Sequence, residues 1–305
     1  MILVVFGHQI GGVTEFFVFT GPVKMPLFFA ISGYLFNMRE SKSYYFFRNW
    51  FIKLIIPWFC LVLIPFLPKL FIGANIVEFF EKVISGKRYW FMPCFVIAEV
   101  IHFYVRKWAK KDPLIIVVCI LLTFGGIYLH SIGRMNFAMF NRSLSVQFFF
   151  LIGYLFHKYE NKLVRLPWIV IGSGGGIYLI LTFFSLYLFP KASIDVHLCR
   201  YYNYPYCFSL IILGLLVLFT AAAKSNFSNK ILSLIGQNTL VIYLYHNHVI
   251  GLLVKMISFF KINVIIFWIG AFVKTVWGIV VCNLLAHYIN RFVPEFVGKK
   301  RKTHT

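Results

Sequence analysis

The chain has 305 residues, is 60% hydrophobic and 20% aromatic, and carries only 13% charged residues at a mean hydropathy of +0.82. Those proportions exclude an ordinary soluble domain and describe a chain that lives in lipid. The net charge of +21 does not argue for nucleic acid: the basic residues sit in short clusters between apolar runs, and no stripe of Lys and Arg alternates with stacking aromatics.

Apolar stretches occur near residues 1–8, 22–38, 51–72, 90–105, 113–130, 143–157, 166–189, 206–223, 238–258 and 262–290. They predict an all-α, polytopic membrane helical bundle of about ten spans, in one domain over 1–305 with a tail at 292–305. Met1 to Gly7 covers only roughly a third of the ~30 Å hydrocarbon core, so the first span is expected to be truncated and to continue upstream of the sequence. Lys and Arg number eighteen after the even-numbered stretches and nine after the odd-numbered ones. That bias puts the even-side loops and the C-terminal tail in the cytoplasm and turns the 9–21 loop outward. The six cysteines (60, 94, 119, 199, 207 and 282) are scattered, mostly within apolar runs and without C-x-x-C spacing. They read as small core hydrophobes, and no metal site is expected.

Polar groups at membrane depth are costly, so each is a candidate for function. His8 closes the first apolar stretch beside an uncharged loop. As a neutral imidazole it can take a proton from a sugar hydroxyl; an interfacial histidine bonded to a nearby loop is the competing explanation. The stretch Lys24-Met25-Pro26-Leu27-Phe28-Phe29-Ala30-Ile31-Ser32-Gly33-Tyr34 opens a helix with proline in its first turn. Ser32 either bonds back to its own helix or acts as a nucleophile, although no Gly-x-Ser-x-Gly elbow supports covalent serine chemistry, and Gly33 allows close approach of another helix. Arg48 and Lys53 leave the membrane on the cytoplasmic side, where they either anchor topology or meet the phosphates of a nucleotide-like donor.

Trp90 starts the fourth stretch as a belt residue or a sugar platform. Glu99 and His102, three apart, share a helix face and are candidates to pair with each other or with Lys255 or Lys274. The Gly172–Gly176 run lacks the Lys-Ser/Thr of a phosphate loop and reads as a small-residue helix contact. His246 and His248 flank Asn247 and point to different faces, so a shared metal is not expected.

His8, then Met-Pro-Leu-Phe-Phe-x-x-Ser-Gly-Tyr at 25–34, then Lys53-Leu-x-x-Pro57-Trp58, resembles the opening of the integral-membrane acyltransferase-3 family. Trp90-Phe91, Phe149-Leu151-Gly153-Tyr154 and Asn238-Thr239 through Tyr243 to His246 follow in the family's order. The match is most similar to the branch of fucose 4-O-acetylase-like sugar acetylases, although Val23-Lys24 stands where that branch often has Phe-His. The resemblance implies that His8 is the catalytic histidine and that an arginine lies further upstream on its helix. It also implies acetyl-CoA or another acyl-CoA as donor and a carbohydrate acceptor; Arg48 and Lys53 are the expected donor-binding residues, and Trp90, Ser32, His246 and Glu99 the expected substrate-binding ones. The expected location is the bacterial cytoplasmic membrane. A glycan or lipid transporter, for which the ionisable residues would line a path, and a truncated non-catalytic relative are the alternatives.

Overall fold

The computed structural model describes residues 1–11, 13–36, 43–189, 193–225, 229–259 and 267–299. Arg39, Lys42, Lys191, Lys261 and the tail from Lys300 onward lie outside the described residues. In chain order the helices are α1 (Ile2–Gln9), α2 (Thr14–Lys24), α3 (Pro26–Leu35), α4 (Ser43–Trp50), α5 (Ile56–Leu63), α6 (Leu67–Leu70), α7 (Ile76–Ile84) and α8 (Phe91–Trp108). They continue with α9 (Asp112–Ser131), α10 (Phe140–Ser145), α11 (Gln147–Leu163), α12 (Trp168–Leu188), α13 (Tyr204–Ser225), α14 (Lys230–Gln237), α15 (Thr239–Phe259) and α16 (Phe267–Phe292). A π-helical turn, Phe51–Ile55, joins α4 to α5. No strand occurs among the described residues, and Asp195 and Arg200 form an isolated antiparallel bridge.

Among the described residues, six segments are long and apolar enough to cross a bilayer: Thr14–Leu35, Ser43–Leu63, Asp112–Ser131, Trp168–Leu188, Tyr204–Ser225 and Phe267–Phe292. The sequence pattern predicts about ten. Of the other expected spans, α8 carries Glu99, Arg106 and Lys107, α11 is 17 residues long and ends in Lys158, Glu160 and Lys162, and α1 has only 8 residues. Two boundaries also move. The 9–21 segment, expected as an outward loop, is mostly helix α2, which runs through Gly21-Pro22 and bends into α3 at Met25. The 51–72 stretch begins its helix earlier, at Ser43, and loses it after Leu63, where Pro65 and Pro68 follow. On α12 only Ile171, Thr182 and Ser185 are buried, while Ile169 is 79% exposed and Leu179, Phe183 and Phe184 are exposed with it. An apolar face of that extent is a lipid-facing surface.

The helices assemble into two compact units. One comprises Met1–Gly12, Met38–Ile76 and Ser228–Thr305; the other comprises Val13–Asn37 and Val77–Phe227. In the second unit α3 and α11 run antiparallel with their backbones in contact. A Cβ on Gly33 would lie 2.1 Å from the Phe150 carbonyl oxygen, and one on Gly153 would lie 1.8 Å from that of Ala30. The fully buried Phe29 packs beside this crossing, among the rings of Phe91, Phe95, Phe149 and Phe150 at centroid distances of 5.4–6.3 Å. Asp112, at the start of α9, accepts from the Tyr154 hydroxyl at 2.9 Å and pairs with Lys158, which ties α9 to α11. The glycine run lies within α12, where a Cβ on Gly174 would stand 3.1 Å from Val217 of α13 and Gly172 and Gly176 face open space. The close helix contact expected of the run is therefore made by its middle alone.

In the first unit, α15 and α1 meet α16 at Gly278, where a Cβ would lie 2.9 Å from Ile250 and 3.8 Å from Val5. Asn238, just before α15, donates to Asn283 Oδ1 of α16 at 2.8 Å and accepts from Asn290 at 3.4 Å. The Tyr245 hydroxyl donates to the Leu61 carbonyl of α5 at 2.6 Å. Past α16, a 3-10 turn over Pro294–Val297 ends in Gly298 at φ +68°, in contact with the π turn: a Cβ there would stand 2.9 Å from Lys53 Cα. Five of the six cysteines are buried and all are free thiols.

The glycine contacts yield a paired prediction. Gly153→Ala should destabilise the protein by about 3 kcal/mol or more, because backbone atoms on both sides block the added methyl. Gly172→Ala, whose methyl meets nothing, should be neutral or raise stability by up to about 1 kcal/mol through helix propensity. Thermal denaturation of the two detergent-solubilised variants against the parent chain tests both, and equal midpoints would refute the packing argument.

Candidate functional site

The first unit brings two of the predicted site residues together. His8 sits exposed in the last turn of α1, and its ring lies 5.2 Å from that of His246 on α15, tilted by 38°. His246 is 2% exposed. Its Nδ1 lies 2.8 Å from the Ile242 carbonyl oxygen and 3.0 Å from that of Tyr243. A carbonyl can only accept, so Nδ1 carries the proton and Nε2 carries the lone pair. That Nε2 is buried and has no hydrogen-bond partner among the described residues. The backbone of α15 thus fixes the tautomer of a histidine that holds an unused proton acceptor beside a second imidazole. His248, one position beyond Asn247, is exposed on another face of α15, as the sequence spacing predicts. No group of three His, Cys, Asp or Glu side chains placed to hold a metal occurs among the described residues.

The second unit joins another predicted pair. The Ser32 hydroxyl donates to Glu99 Oε1 at 2.9 Å, so the serine bridges α3 to α8 and does not bond back to its own helix. Glu99 therefore pairs with Ser32, and not with His102 as their shared helix face suggested. His102 is fully buried, edge-on to Phe36 at 5.4 Å and stacked on Phe150 at 5.0 Å. Ion pairs among the described residues join Lys82 to Glu78, Lys87 to Glu81 and Lys158 to Asp112.

Arg48 lies in the last turn of α4 and Lys53 in the π turn; both are exposed. A π turn costs regular hydrogen bonding and is often found where a helix serves a site. Trp90 precedes α8 and is half-buried, its indole lying 4.7 Å from the His197 ring at an interplanar angle of 32°.

Sequence reasoning missed His197 and Arg142. The Arg142 Nε donates to the His197 carbonyl oxygen at 2.6 Å, which fastens the 195–200 loop to α10. The signal was a local density of polar residues, Asn141, Arg142, Ser143, Ser145 and Gln147, in a chain otherwise poor in them; all five are buried. His197 lies outside the spans. Burial first, then the Arg142 guanidinium, pushes its imidazole below the ordinary histidine range against an opposing pull from Asp195.

The family model described as an acyltransferase domain, that of the acyltransferase-3 family, matches residues 1–287. No curated protein and no solved structure matches the chain.

The Ser32–Glu99 bond carries a prediction about stability. Ser32→Ala removes the carboxyl group's hydrogen-bond donor and should cost about 1–3 kcal/mol, seen as a lower melting temperature in detergent. Glu99→Gln, which leaves an oxygen for the serine to donate to, should cost less. The opposite ranking would rule out this bond as a source of stability.

Proposed function

Because the chain belongs to the acyltransferase-3 family, a family of membrane O-acyltransferases, we propose that it moves an acetyl group from cytosolic acetyl-CoA to a hydroxyl on a cell-surface or exported polysaccharide sugar. The proposal includes the fucose 4-O-acetylase-like branch, the remaining membrane spans of the expected ten, and a bacterial cytoplasmic membrane with the C-terminus on its cytoplasmic side.

The observation that supports this reading best is the His8–His246 pair, with His246 locked in one tautomer. His8 accepts the proton of the sugar hydroxyl as its oxygen attacks the thioester carbonyl. The new C–O bond forms, the C–S bond breaks, and the same proton then passes to the departing thiolate, giving the ester and free CoA. The proton is borrowed and returned, and an imidazole can both take it from the hydroxyl and give it to the leaving thiolate. His246 sets its ring against that of His8 and orients it through that contact. Arg48 and Lys53, exposed near the start of Ser43–Leu63, offer two positive charges to the phosphates of the donor.

His8→Ala should lower kcat by about 100- to 10,000-fold, read as CoA thiol released in the presence of acceptor. His246→Ala should also lower kcat, by less, because it orients the base and does not itself take the proton. Normal turnover in the His8 variant would end the general-base assignment. Arg48→Ala combined with Lys53→Ala should raise KM for acetyl-CoA and leave kcat near the parent value, since the charges hold a part of the donor that does not react. An unchanged KM would remove both residues from the donor site.

A further inference from the structure

Arg142 is a largely buried cation whose hydrogen bonds all go to neutral acceptors. A guanidinium keeps its charge at every accessible pH and brings five N–H donors with it. Arg142 is only 8% exposed. Nε donates to the His197 carbonyl oxygen at 2.6 Å, and Nη1 donates to Asn141 Oδ1 at 3.1 Å and to Asn136 Oδ1 at 3.3 Å. All three acceptors are neutral. Among the described residues no carboxylate lies within ion-pair distance of Arg142, and Nη2 makes no hydrogen bond. A buried charge without a counter-charge is strongly unfavourable, so such an arrangement persists where something else supplies the anion.

The surrounding backbone is built at a cost as well. Among the described residues, the non-glycine positions with positive φ are Met135 (52°), Ala138 (49°), Met139 (61°) and Cys199 (48°). All lie in the two loops that carry the Arg142 acceptors Asn136 and His197, between α9 and α10 and around Asp195–Arg200. Left-handed backbone at residues with a Cβ is strained, and it is held only where the fold over-determines it. The product of that strain is a fixed guanidinium with a ring stack next to it: His197, whose carbonyl receives Nε, lies against the half-buried Trp90.

We propose that Arg142, with Trp90 and His197, binds an anionic oxygen group, carboxylate or phosphate, on the sugar acceptor of the transfer reaction. The proposal rests on the acyl-transfer reading above. The unspent Nη2 donors and the uncompensated charge suit a carboxylate or phosphate oxygen and have no use for a neutral sugar. The indole supplies an apolar face next to the charge, as a sugar ring needs. The acceptor is indicated over the donor because both loops follow odd-numbered apolar stretches, which the Lys and Arg bias turns outward, whereas acetyl-CoA is cytosolic.

The test uses the full chain in detergent and reads melting temperature against four probes: methyl glucuronide, glucose 1-phosphate, methyl glucoside and inorganic phosphate. One or both charged sugars should raise the melting temperature at concentrations where the glucoside does not, and the two arms tell carboxylate from phosphate. Arg142→Gln should weaken the charged sugar by at least about tenfold, without changing the response to acetyl-CoA. Trp90→Ala leaves every Arg142 hydrogen bond in place and should also weaken the charged sugar; it serves if the arginine variant does not fold. A glucoside shift equal to that of the charged sugars overturns the proposal, as does a charged-sugar shift that survives both substitutions. A shift from inorganic phosphate as large as that from glucose 1-phosphate removes the sugar from it. Binding is read without turnover, so a chain that binds the charged sugar and releases no CoA with any acceptor fails the acyl-transfer reading and not the anion site.

Discussion

In lipid, helices are not driven together by the hydrophobic effect, because the surrounding acyl chains are as apolar as their side chains. Close packing and polar bonds between helices must then specify the arrangement. Each unit of this protein shows how. Gly33 and Gly153 let α3 and α11 touch backbone to backbone, a contact that any Cβ would prevent. Ser32–Glu99 bridges α3 to α8, Asn238–Asn283 fastens the start of α15 to α16, and Tyr245 reaches the Leu61 carbonyl across to α5. The large aromatic complement fills the space between these fixed points and does not choose them.

Where polar groups are few and costly, the ones left unspent are informative. A buried hydroxyl or amide that bonds to a neighbouring helix has its role explained by the fold. His246 does not fit that account: its Nδ1 proton is given to its own helix, which leaves Nε2 unused and aligned by the backbone. Arg142 does not fit it either, since its hydrogen bonds go to neutral acceptors only and leave the charge uncompensated. Both are costs to folding that the architecture tolerates. Costs of that kind belong to sites, where binding or chemistry makes use of the group.

What could be read from the sequence followed from which quantities are local. Helix class, the membrane setting and the block from Met25 to Tyr34 are written in composition and spacing, and the fold places them as helices. The importance of Gly33 was legible too, because a Ser-Gly pair in the middle of an apolar helix has few other uses. Its partner, Gly153, became intelligible only when the antiparallel crossing was seen. Pro22 lies inside α2, whereas the helix from Ser43 stops at Leu63, two residues before Pro65, and neither outcome is written in hydropathy. Glu99 and His102 share a face as their spacing requires, yet the carboxyl group took a hydroxyl from a helix 67 residues earlier in the chain. Periodicity says which side chains are neighbours on one helix. It says nothing of what another helix offers them.

The charge balance connects these points. The chain has 30 Lys and Arg and only 9 Asp and Glu. Several of those acids are already committed: Glu78, Glu81 and Asp112 to lysines, Glu99 to Ser32, and Glu160 to Tyr34 at 2.8 Å. Asp195, in the loop that Arg142 holds, acts on His197 and accepts from the Leu198 N–H, and it makes no ion pair with Arg142. Most of the excess can be left in water or at the headgroups, where a lone positive charge costs little and sets topology. Arg142 cannot be accounted for in that way, because it is inside the protein and held there by three hydrogen bonds in strained loops. Topology requires positive charge at the membrane surface, and fastening the 195–200 loop to α10 uses Nε without needing a charge. A requirement for an anion calls for that charge.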